Sequence, residues 1–340
     1  MEFLKLFIVA LMPVLKVLLI TVLGTFLALD RFDILSRETA RKNLNTIVFF
    51  VFAPALVCGS LAETVTSKSI VTLWFMPLNV LLTFIIGAAL GWLVVKLMRV
   101  PHHLQGLVLG CCAAGNLGNL PLIIVPAVCK QTGNPFGDAD ICHRNGLAYA
   151  SLSMAVSKKE KIMKQVKVLA EKMKLKALFA PATIGALVGL LIGVVPIFRK
   201  MLIVNNAPLG VIQDSLVMVG DAGIPAMTLL VGANLIKGLK GLGKQVPIVV
   251  GIIVVRFIIL PVIGIGIVKG AIHFGLIHPD PLYQFLLLLQ FALPPAVALS
   301  TITQLFGVSE GECSVIMLAT YSCAAFSLTL WSTFFMWLVL

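Results

Sequence analysis

The sequence predicts an all-α polytopic membrane protein with about ten transmembrane helices, arranged as two inverted five-helix repeats. Three observations lead to this fold class. Of the 340 residues, 59% are apolar and only 12% are charged, about half the usual charged share of a soluble domain. Apolar runs long enough to cross a bilayer recur along the whole chain. Lys and Arg residues are concentrated in alternate loops between those runs.

The apolar runs give ten candidate spans, which are numbered in chain order. They are Leu6–Leu29, Leu44–Leu61, Ile70–Val95, Leu104–Cys129, Gly146–Val156, Leu178–Phe198, Leu209–Ile236, Val246–Val268, Leu282–Phe306 and Cys313–Leu340. Span one exceeds the roughly 7–15 apolar residues of a signal peptide, so we predict no cleavable leader. Span five is the weak one, because its 11 residues would rise only about 16 Å as a helix, against roughly 30 Å of hydrocarbon.

The positive charges predict the orientation of the spans. Loops that follow odd-numbered spans carry 17 Lys and Arg residues, whereas the N-terminus and the loops that follow even-numbered spans carry 7. Because positive loops face the cytosol, we expect both termini to be lumenal or external and the basic loop 157–176 to be cytosolic. If span five did not cross, the basic loops 96–103 and 157–176 would lie on opposite sides. The charges therefore favour a crossing, and the shortness of span five suggests missing sequence.

Ten spans divide into two sets of five, and an odd number in each set places the second set upside down relative to the first. We predict residues 1–156 as the first repeat with a short fifth helix, 157–176 as the basic cytosolic loop and 177–340 as the second repeat. Proline positions support this division. Four pairs in corresponding spans are separated by 168 to 174 positions: Pro13 and Pro181, Pro54 and Pro225, Pro77 and Pro247, and Pro121 and Pro295.

Spans four and nine are predicted to be broken at their middles. Proline removes a backbone donor, and Gly and Asn lower helix propensity. Half-helices that begin at such breaks point positive N-terminal ends toward the bilayer centre, where they suit an anion. The predicted substrate-binding residues are Asn116, Asn119 and Pro121 in span four, and Gln290, Pro294 and Pro295 in span nine. The alternative is a pair of proline kinks whose polar residues are satisfied within the bundle.

Four charged residues lie inside predicted spans: Lys16, Asp214 near the start of span seven, Asp221 and Arg256. Charge is costly there and a functional role is the default, and the last two are the candidates for the site. Asp221 in span seven is predicted either to couple transport to a proton or cation, or to cap the unwound turn at Gly223–Pro225. Arg256 in span eight could pair with Asp221, with a substrate carboxylate or in a structural ion pair. Asn79 in span three reads as an ordinary interhelix hydrogen bonder. Glycines 185, 189 and 193 in span six favour close packing inside the monomer over a homodimer interface.

Several functions are excluded or made improbable by the same sequence. The seven cysteines are scattered, odd in number and without a CxxC pair, so we expect no disulfide framework and no metal site. Despite a pI near 9.5, a chain this apolar is not expected to bind nucleic acid. No phosphate-binding P-loop and no paired catalytic carboxylates occur, so we expect no cofactor and no enzyme activity.

Five stretches together resemble the plant PIN-LIKES carriers, relatives of the PIN auxin efflux carriers. They are FAPALV at 52–57, GNLGNLP at 115–121, RNGLAYAS at 144–151, GDAGIP at 220–225 and LPPA at 293–296. The resemblance implies inverted repeats, crossing broken helices in spans four and nine, auxin (indole-3-acetic acid) as substrate, and the endoplasmic reticulum membrane. One departure stands out. In the family, span five continues well past the position of Val156, whereas here the basic loop follows at once.

Three functions remain open at this point. The first is a secondary carrier for auxin that works by alternating access and contributes to intracellular auxin homeostasis. The second is a transport-inactive or regulatory membrane protein, because span five is truncated. The third is a carrier of the same fold for another small carboxylate.

Overall fold

The computed structural model describes residues 3–32, 34–65, 73–117, 120–131, 133–147, 149–150, 152–153, 181–203, 207–239, 246–297, 299–300, 303 and 309–340. In these ranges the regular secondary structure is helical. The single β feature of the described residues is an isolated antiparallel bridge between Gly115 and Pro295. The predicted all-α class is therefore confirmed.

Six helices of the described chain are long and apolar enough to cross a membrane. They are Leu4–Leu27, Glu38–Glu63, Phe75–Leu97, Gly210–Asn234, Val246–His273 and Gly311–Val339, and they coincide with predicted spans one, two, three, seven, eight and ten. Span six is bent by 97° between Ile184–Val194 and Pro196–Leu202, because Pro196 cannot continue the preceding helix. The chain is a polytopic membrane protein.

The helix bounds show where individual spans are continuous and where they are interrupted. Span one is Phe3–Leu27, span two Glu38–Ile47 with Ala53–Thr64, span three Phe75–Leu97, and span four His102–Ala113 with Leu120–Cys129. Span six is Pro181–Val194 with Pro196–Leu202, span seven Gly210–Asp221 with Gly223–Leu239, span eight Val246–Val254 with Leu260–His273, span nine begins with Pro281–Leu289, and span ten is Glu310–Val339.

Spans two and eight each contain one turn of π-helix, over Val48–Phe52 and Val255–Ile259. A proline follows closely in both spans, at Pro54 and Pro261. Proline lacks an N–H and its ring crowds the carbonyl four residues earlier, so a wider turn relieves the clash without ending the helix. The π turn of span eight contains Arg256, one of the predicted site residues.

Two sets of helices pack as groups. Span two lies along span six and span one along span seven, whereas spans three, four, eight, nine and ten surround the largest buried core, to which span one also contributes residues between Leu6 and Val14. Spans one and seven both contact span ten, which joins the two groups. The glycines of span six make the first of these contacts close: a Cβ on Gly185 would lie 2.5 Å from the Pro54 carbonyl oxygen, and one on Gly189 would lie 2.5 Å from that of Cys58. This confirms the prediction that the glycine spacing serves packing inside the monomer.

The helix of span five begins earlier than predicted. Residues 139–147 are helical, and the described residues that follow, 149–150 and 152–153, are helical too. Asp138 starts this helix, since its Oδ1 accepts hydrogen bonds from the N–H groups of Asp140 (3.1 Å) and Ile141 (3.0 Å). The start predicted at Gly146 followed apolarity alone and is corrected to 139. Its end and the basic loop 157–176 lie outside the described residues.

A disulfide that the cysteine count did not suggest joins the end of span four to the first turns of span five, across loop four. Cys129 at the end of span four is bonded to Cys142, and their Cα atoms are 5.4 Å apart. The expectation of no disulfide framework is therefore wrong at this pair. An odd cysteine count does not exclude a single bridge, because the fold alone decides which two sulfur atoms meet.

Candidate functional site: the crossover of spans four and nine

The two predicted breaks occur, and they pair with each other. The Asn116 N–H donates to the Pro294 carbonyl at 2.8 Å, and the Ala296 N–H donates to the Ala114 carbonyl at 2.9 Å. These two bonds form the bridge between Gly115 and Pro295. Backbone groups that leave a helix inside a bilayer must find partners within the protein, and here each break satisfies the other. We call residues 114–116 and 294–296 the crossover.

The local sequence explains where the helices stop. The first helix of span four ends at Ala113, just before Gly115 and Asn116, and that of span nine ends at Leu289, shortly before the two prolines. Neither proline can donate a ladder bond. Pro121 lies in the first turn of the helix Leu120–Cys129, where a missing N–H does no harm. It restarts span four as predicted.

A tyrosine from span ten joins both breaks. The Asn116 Nδ2 donates to the Tyr321 Oη at 2.9 Å, and that hydroxyl donates to the Pro295 carbonyl at 3.0 Å. The sequence reasoning did not single out Tyr321. The available signal was its rarity, as the chain has only three tyrosines and this one stands in the middle of an apolar span.

Gln290 belongs to a buried hydrogen-bond network at the span-nine break, in which the Asn79 Oδ1 has no partner among the described residues. Its Oε1 accepts from the Asn79 Nδ2 at 2.7 Å, and its Nε2 donates to the Ser153 Oγ at 2.9 Å. Asn79 also donates to the Leu287 carbonyl at 3.1 Å. Gln290 is fully buried, so its amide joins spans three, five and nine. Asn79 is an interhelix hydrogen bonder as predicted, but it acts at the span-nine break.

Arg256 lies against the span-four break. Its Nε donates to the Cys111 carbonyl at 2.8 Å, near the end of the first helix of that span. The side chain is 0% exposed, and Nη1 and Nη2 are buried without a hydrogen-bond partner among the described residues. A Cβ on Gly115 would lie 3.0 Å from Nη1. Among the described residues no carboxylate pairs with Arg256, so the ion pair considered from the sequence is absent there.

Asp221 is not brought to the crossover. It is the last residue of the helix Gly210–Asp221 and its side chain is exposed. Its carboxylate makes no hydrogen bond to a described residue, so neither a pair with Arg256 nor a cap on the turn at 223–225 is present. Asn119, the second predicted amide donor, lies outside the described residues and stays a prediction.

A cavity of about 180 Å³ adjoins the crossover, between span one, the second helix of span four and span ten. Most of its wall is apolar, with side chains such as Leu18, Ile124 and Leu328. Pro294 and Tyr321 line one part of it and also belong to the crossover network. The cavity thus combines an apolar body with a polar end at the crossover.

Comparisons with known proteins agree with this architecture. The family model described as "Membrane transport protein" matches residues 9–159 and 157–332. Three relatives from Arabidopsis thaliana are Protein PIN-LIKES 1, 3 and 4. Protein PIN-LIKES 1 is 49% identical over 384 residues, with 100% of this chain and 81% of the relative covered. Protein PIN-LIKES 3 is 47% identical over 388 residues, with 99% of both chains covered. Protein PIN-LIKES 4 is 42% identical over 415 residues, with 100% of both covered.

These alignments also bear on the predicted missing sequence. Each runs over more residues than the 340 of this chain, so the relatives contain stretches that this chain lacks. The two segments matched by the family model meet at 157–159, where the basic loop begins. With both segments matched and identity near one half along the full length, the chain is a membrane transporter that belongs to the PIN-LIKES family.

Proposed function

We propose that the chain is a secondary carrier for auxin, an indole-3-acetate-type weak-acid anion, in the membrane of the endoplasmic reticulum. The observation that carries this proposal is the paired break of spans four and nine beside a mostly apolar cavity. Half-helix ends and freed amides at the bilayer midplane are the usual substrate site of secondary transporters. The residues proposed for the site are Asn116, Asn119, Pro121, Pro294 and Pro295.

The cavity suits an acid that carries an aromatic ring. One water needs about 10–15 Å³ of such volume, so a cavity of about 180 Å³ has room for roughly a dozen groups of that size. This is comparable to the heavy atoms of indole-3-acetate. The ring would contact the apolar wall, and the carboxylate would lie at the end formed by Tyr321 and Pro294. Gln290 is removed from the proposed substrate contacts, because its amide is already bonded to other side chains.

The proposal includes two inverted repeats, 1–156 and 177–340, and one pair of contacts supports it. Asn79 of span three donates to the Leu287 carbonyl of span nine, and Arg256 of span eight donates to the Cys111 carbonyl of span four. The donors are 177 positions apart and the acceptors are 176 apart. Each repeat therefore holds the broken span of the other by an equivalent contact, as a two-fold axis through the crossover requires.

The position of the cavity supports the proposal of alternating access. Its walls come from span one, which packs with span seven, and from spans four and ten. We propose that the group of spans one, two, six and seven moves against the remaining spans. Such a motion would open the cavity first to one side of the membrane and then to the other.

The proposed orientation places the termini and loop four in the lumen and loop 157–176 in the cytosol. Two independent features support it. The Lys and Arg bias puts loop four opposite the basic loops, and the Cys129–Cys142 disulfide joins the two helix ends that flank loop four. Disulfides persist in the oxidising lumen of the endoplasmic reticulum and are rare on the cytosolic side.

A transport-inactive or regulatory role is the second candidate, favoured by the stretches that the relatives have and this chain lacks. Retention of radiolabelled indole-3-acetate in cells separates the two. The comparison needs vector alone, this chain, and this chain with the corresponding stretch of Protein PIN-LIKES 3 inserted after Val156. Altered retention with this chain supports the carrier. Altered retention seen only with the insertion supports the inactive form. Retention that is reduced by another unlabelled carboxylate but not by unlabelled auxin supports the third function.

A further inference from the structure

We propose that Arg256 is the internal counter-charge for the carboxylate of the transported acid, acting at the Tyr321 end of the cavity. This inference rests on the proposed function and assigns the recognition of the anion to one residue. The observation behind it is a guanidinium that is buried at the crossover, with two of its three nitrogens lacking a hydrogen-bond partner in the described part of the chain.

An arginine in this state is expensive to bury. Polar atoms inside a protein are normally hydrogen-bonded, and each unsatisfied group carries its full desolvation penalty. For a cation in a transmembrane span the penalty is larger, and such residues usually have a partner or a role in a transport path. The side chain of Arg256 is 0% exposed, so solvent does not satisfy Nη1 and Nη2. They are placed to bind an acceptor that no described residue provides.

The described groups around the guanidinium include no carboxylate that would neutralise it, so its charge is available to an anionic substrate. Cys111, Cys112 and Tyr321 are the ionisable groups that interact with it electrostatically, and none of them is a carboxylate. Nε is already bonded to the Cys111 carbonyl, which fixes the plane of the group. The remaining nitrogens form part of a rigid fork that matches a carboxylate better than a lysine ammonium would.

Tyr321 connects this charge to the cavity. Its ring lines the cavity, and its hydroxyl interacts both with Asn116 and with the field of Arg256. Arg256 does not itself line the cavity, so a carboxylate at this end would reach the guanidinium at the Tyr321 wall, with the Tyr321 hydroxyl exchanging its bond to the Pro295 carbonyl for one to the carboxylate. Inside a low-dielectric bundle this attraction is screened far less than it would be in water.

The test compares binding of indole-3-acetate with binding of indole-3-acetamide, a neutral molecule of nearly the same shape, to the purified full chain. Arg256→Gln should weaken acid binding by about 10–100-fold, the value of a hydrogen bond to a charged group, and change amide binding by less than about threefold. Arg256→Lys keeps the charge but loses the fork of the guanidinium, so its preference for the acid should lie between that of the unmodified chain and that of Arg256→Gln.

Arg199 provides a matched control. It donates to backbone carbonyls of Ala62, Glu63 and Val65 near the end of span two, far along the chain from the crossover. Arg199→Gln should lower the melting temperature and leave the acid-to-amide ratio unchanged. Arg256→Gln should not lower the melting temperature of the ligand-free protein, because it removes an uncompensated buried charge.

A second variant tests the inference if Arg256→Gln does not fold. Gly115→Ala places a methyl group about 3.0 Å from Nη1, which displaces the guanidinium without removing it, so acid preference should fall. Gly106→Ala, in the same span with open space around its Cβ position, is the matched control.

An unchanged acid-to-amide ratio in Gly115→Ala or Arg256→Gln overturns the role of Arg256. Equal binding of acid and amide by the unmodified chain overturns it too. If the unmodified chain binds neither molecule, the proposed function itself fails.

Discussion

The breaks in spans four and nine share one backbone bridge but are surrounded by different side chains. At the span-nine break Gln290 is bonded to Asn79 and Ser153 and is fully buried. At the span-four break Asn116 is bonded to a tyrosine hydroxyl at the edge of a cavity, and two nitrogens of Arg256 have no partner among the described residues. Both groups of the Gln290 amide are bonded, and the unpartnered atom beside it is the neutral Asn79 Oδ1. An unpaired cation costs more to bury than an unpaired amide oxygen, so the stronger need for a ligand lies at the span-four break. We infer that the side chains at the span-nine break stabilise the crossover and that those at the span-four break contact the substrate.

The outer ends of spans four and nine are also held by different interactions. Span four ends at Cys129, which a disulfide joins to Cys142. Span nine begins after Asp280, whose carboxylate accepts hydrogen bonds from the Leu282 N–H (2.9 Å) and the Tyr149 hydroxyl (2.6 Å). One end is fixed covalently and the other by a charged cap. The following predictions test this contrast, beginning with the largest expected effect.

Asn119→Ala should weaken binding of indole-3-acetate by roughly 10–150-fold, because it removes an amide donor at the start of the second half of span four. Isothermal binding measurements on purified protein give the ratio of the dissociation constants of the variant and the unmodified chain. Asn134→Ala is the control: this side chain caps the Cys129 carbonyl in loop four, away from the crossover, and should change affinity by less than about twofold. No loss at Asn119 in a folded variant would remove it from the site.

Breaking the disulfide should lower the free energy of unfolding by about 3 kcal/mol, since the bridge closes a loop of 13 residues. Cys129→Ser with Cys142→Ser tests this by thermal melting. In the unmodified protein, thiol alkylation before and after reduction should differ by two cysteines. Free thiols at both positions in protein from the endoplasmic reticulum would contradict the lumenal side of loop four.

Gln290→Leu should destabilise the protein by about 1–3 kcal/mol, because Asn79 and Ser153 would lose their buried partner. The affinity ratio between acid and amide should stay unchanged, as this break only holds the crossover. Melting curves and the two binding constants check both statements. A changed ratio with normal stability would place Gln290 in the substrate site after all.

Asp221→Asn should have the smallest effect on binding, less than about twofold, because the side chain is exposed and away from the crossover network. If Asp221 couples transport to protons, the variant should flatten the pH dependence of transport, since Asn keeps the size but cannot ionise. Uptake measured across pH decides it. An unchanged profile would leave Asp221 without a coupling role.

Sequence reasoning located the breaks but not their partners. Helix propensity is low at Gly115, Asn116, Pro294 and Pro295, and the preceding helices end at Ala113 and Leu289. The pairing of the two breaks, the role of Tyr321 and the orientation of Arg256 depend on contacts between spans far apart in sequence, which periodicity does not encode. Asn79 is an example: the sequence predicts an interhelix hydrogen bonder, but the structure alone identifies Gln290 at the span-nine break as its partner.

Helix starts and cysteine pairs were missed for related reasons. The helix of span five begins among charged residues, where a search for apolar runs does not look, and the signal was the cap at Asp138. The Cys129–Cys142 pair depends on how loop four folds back along the end of span four. The six spans found as membrane-length helices were predicted correctly, because a bilayer leaves few choices for an apolar run of that length.

The most direct test is uptake of radiolabelled indole-3-acetate into liposomes that contain the purified full chain. We expect saturable uptake above that of protein-free liposomes, competition by unlabelled acid, and a large reduction in Asn116→Ala, which loses the bond to Tyr321. Uptake equal to that of protein-free liposomes at every pH tested would contradict the claim that the crossover and its cavity form an auxin transport site.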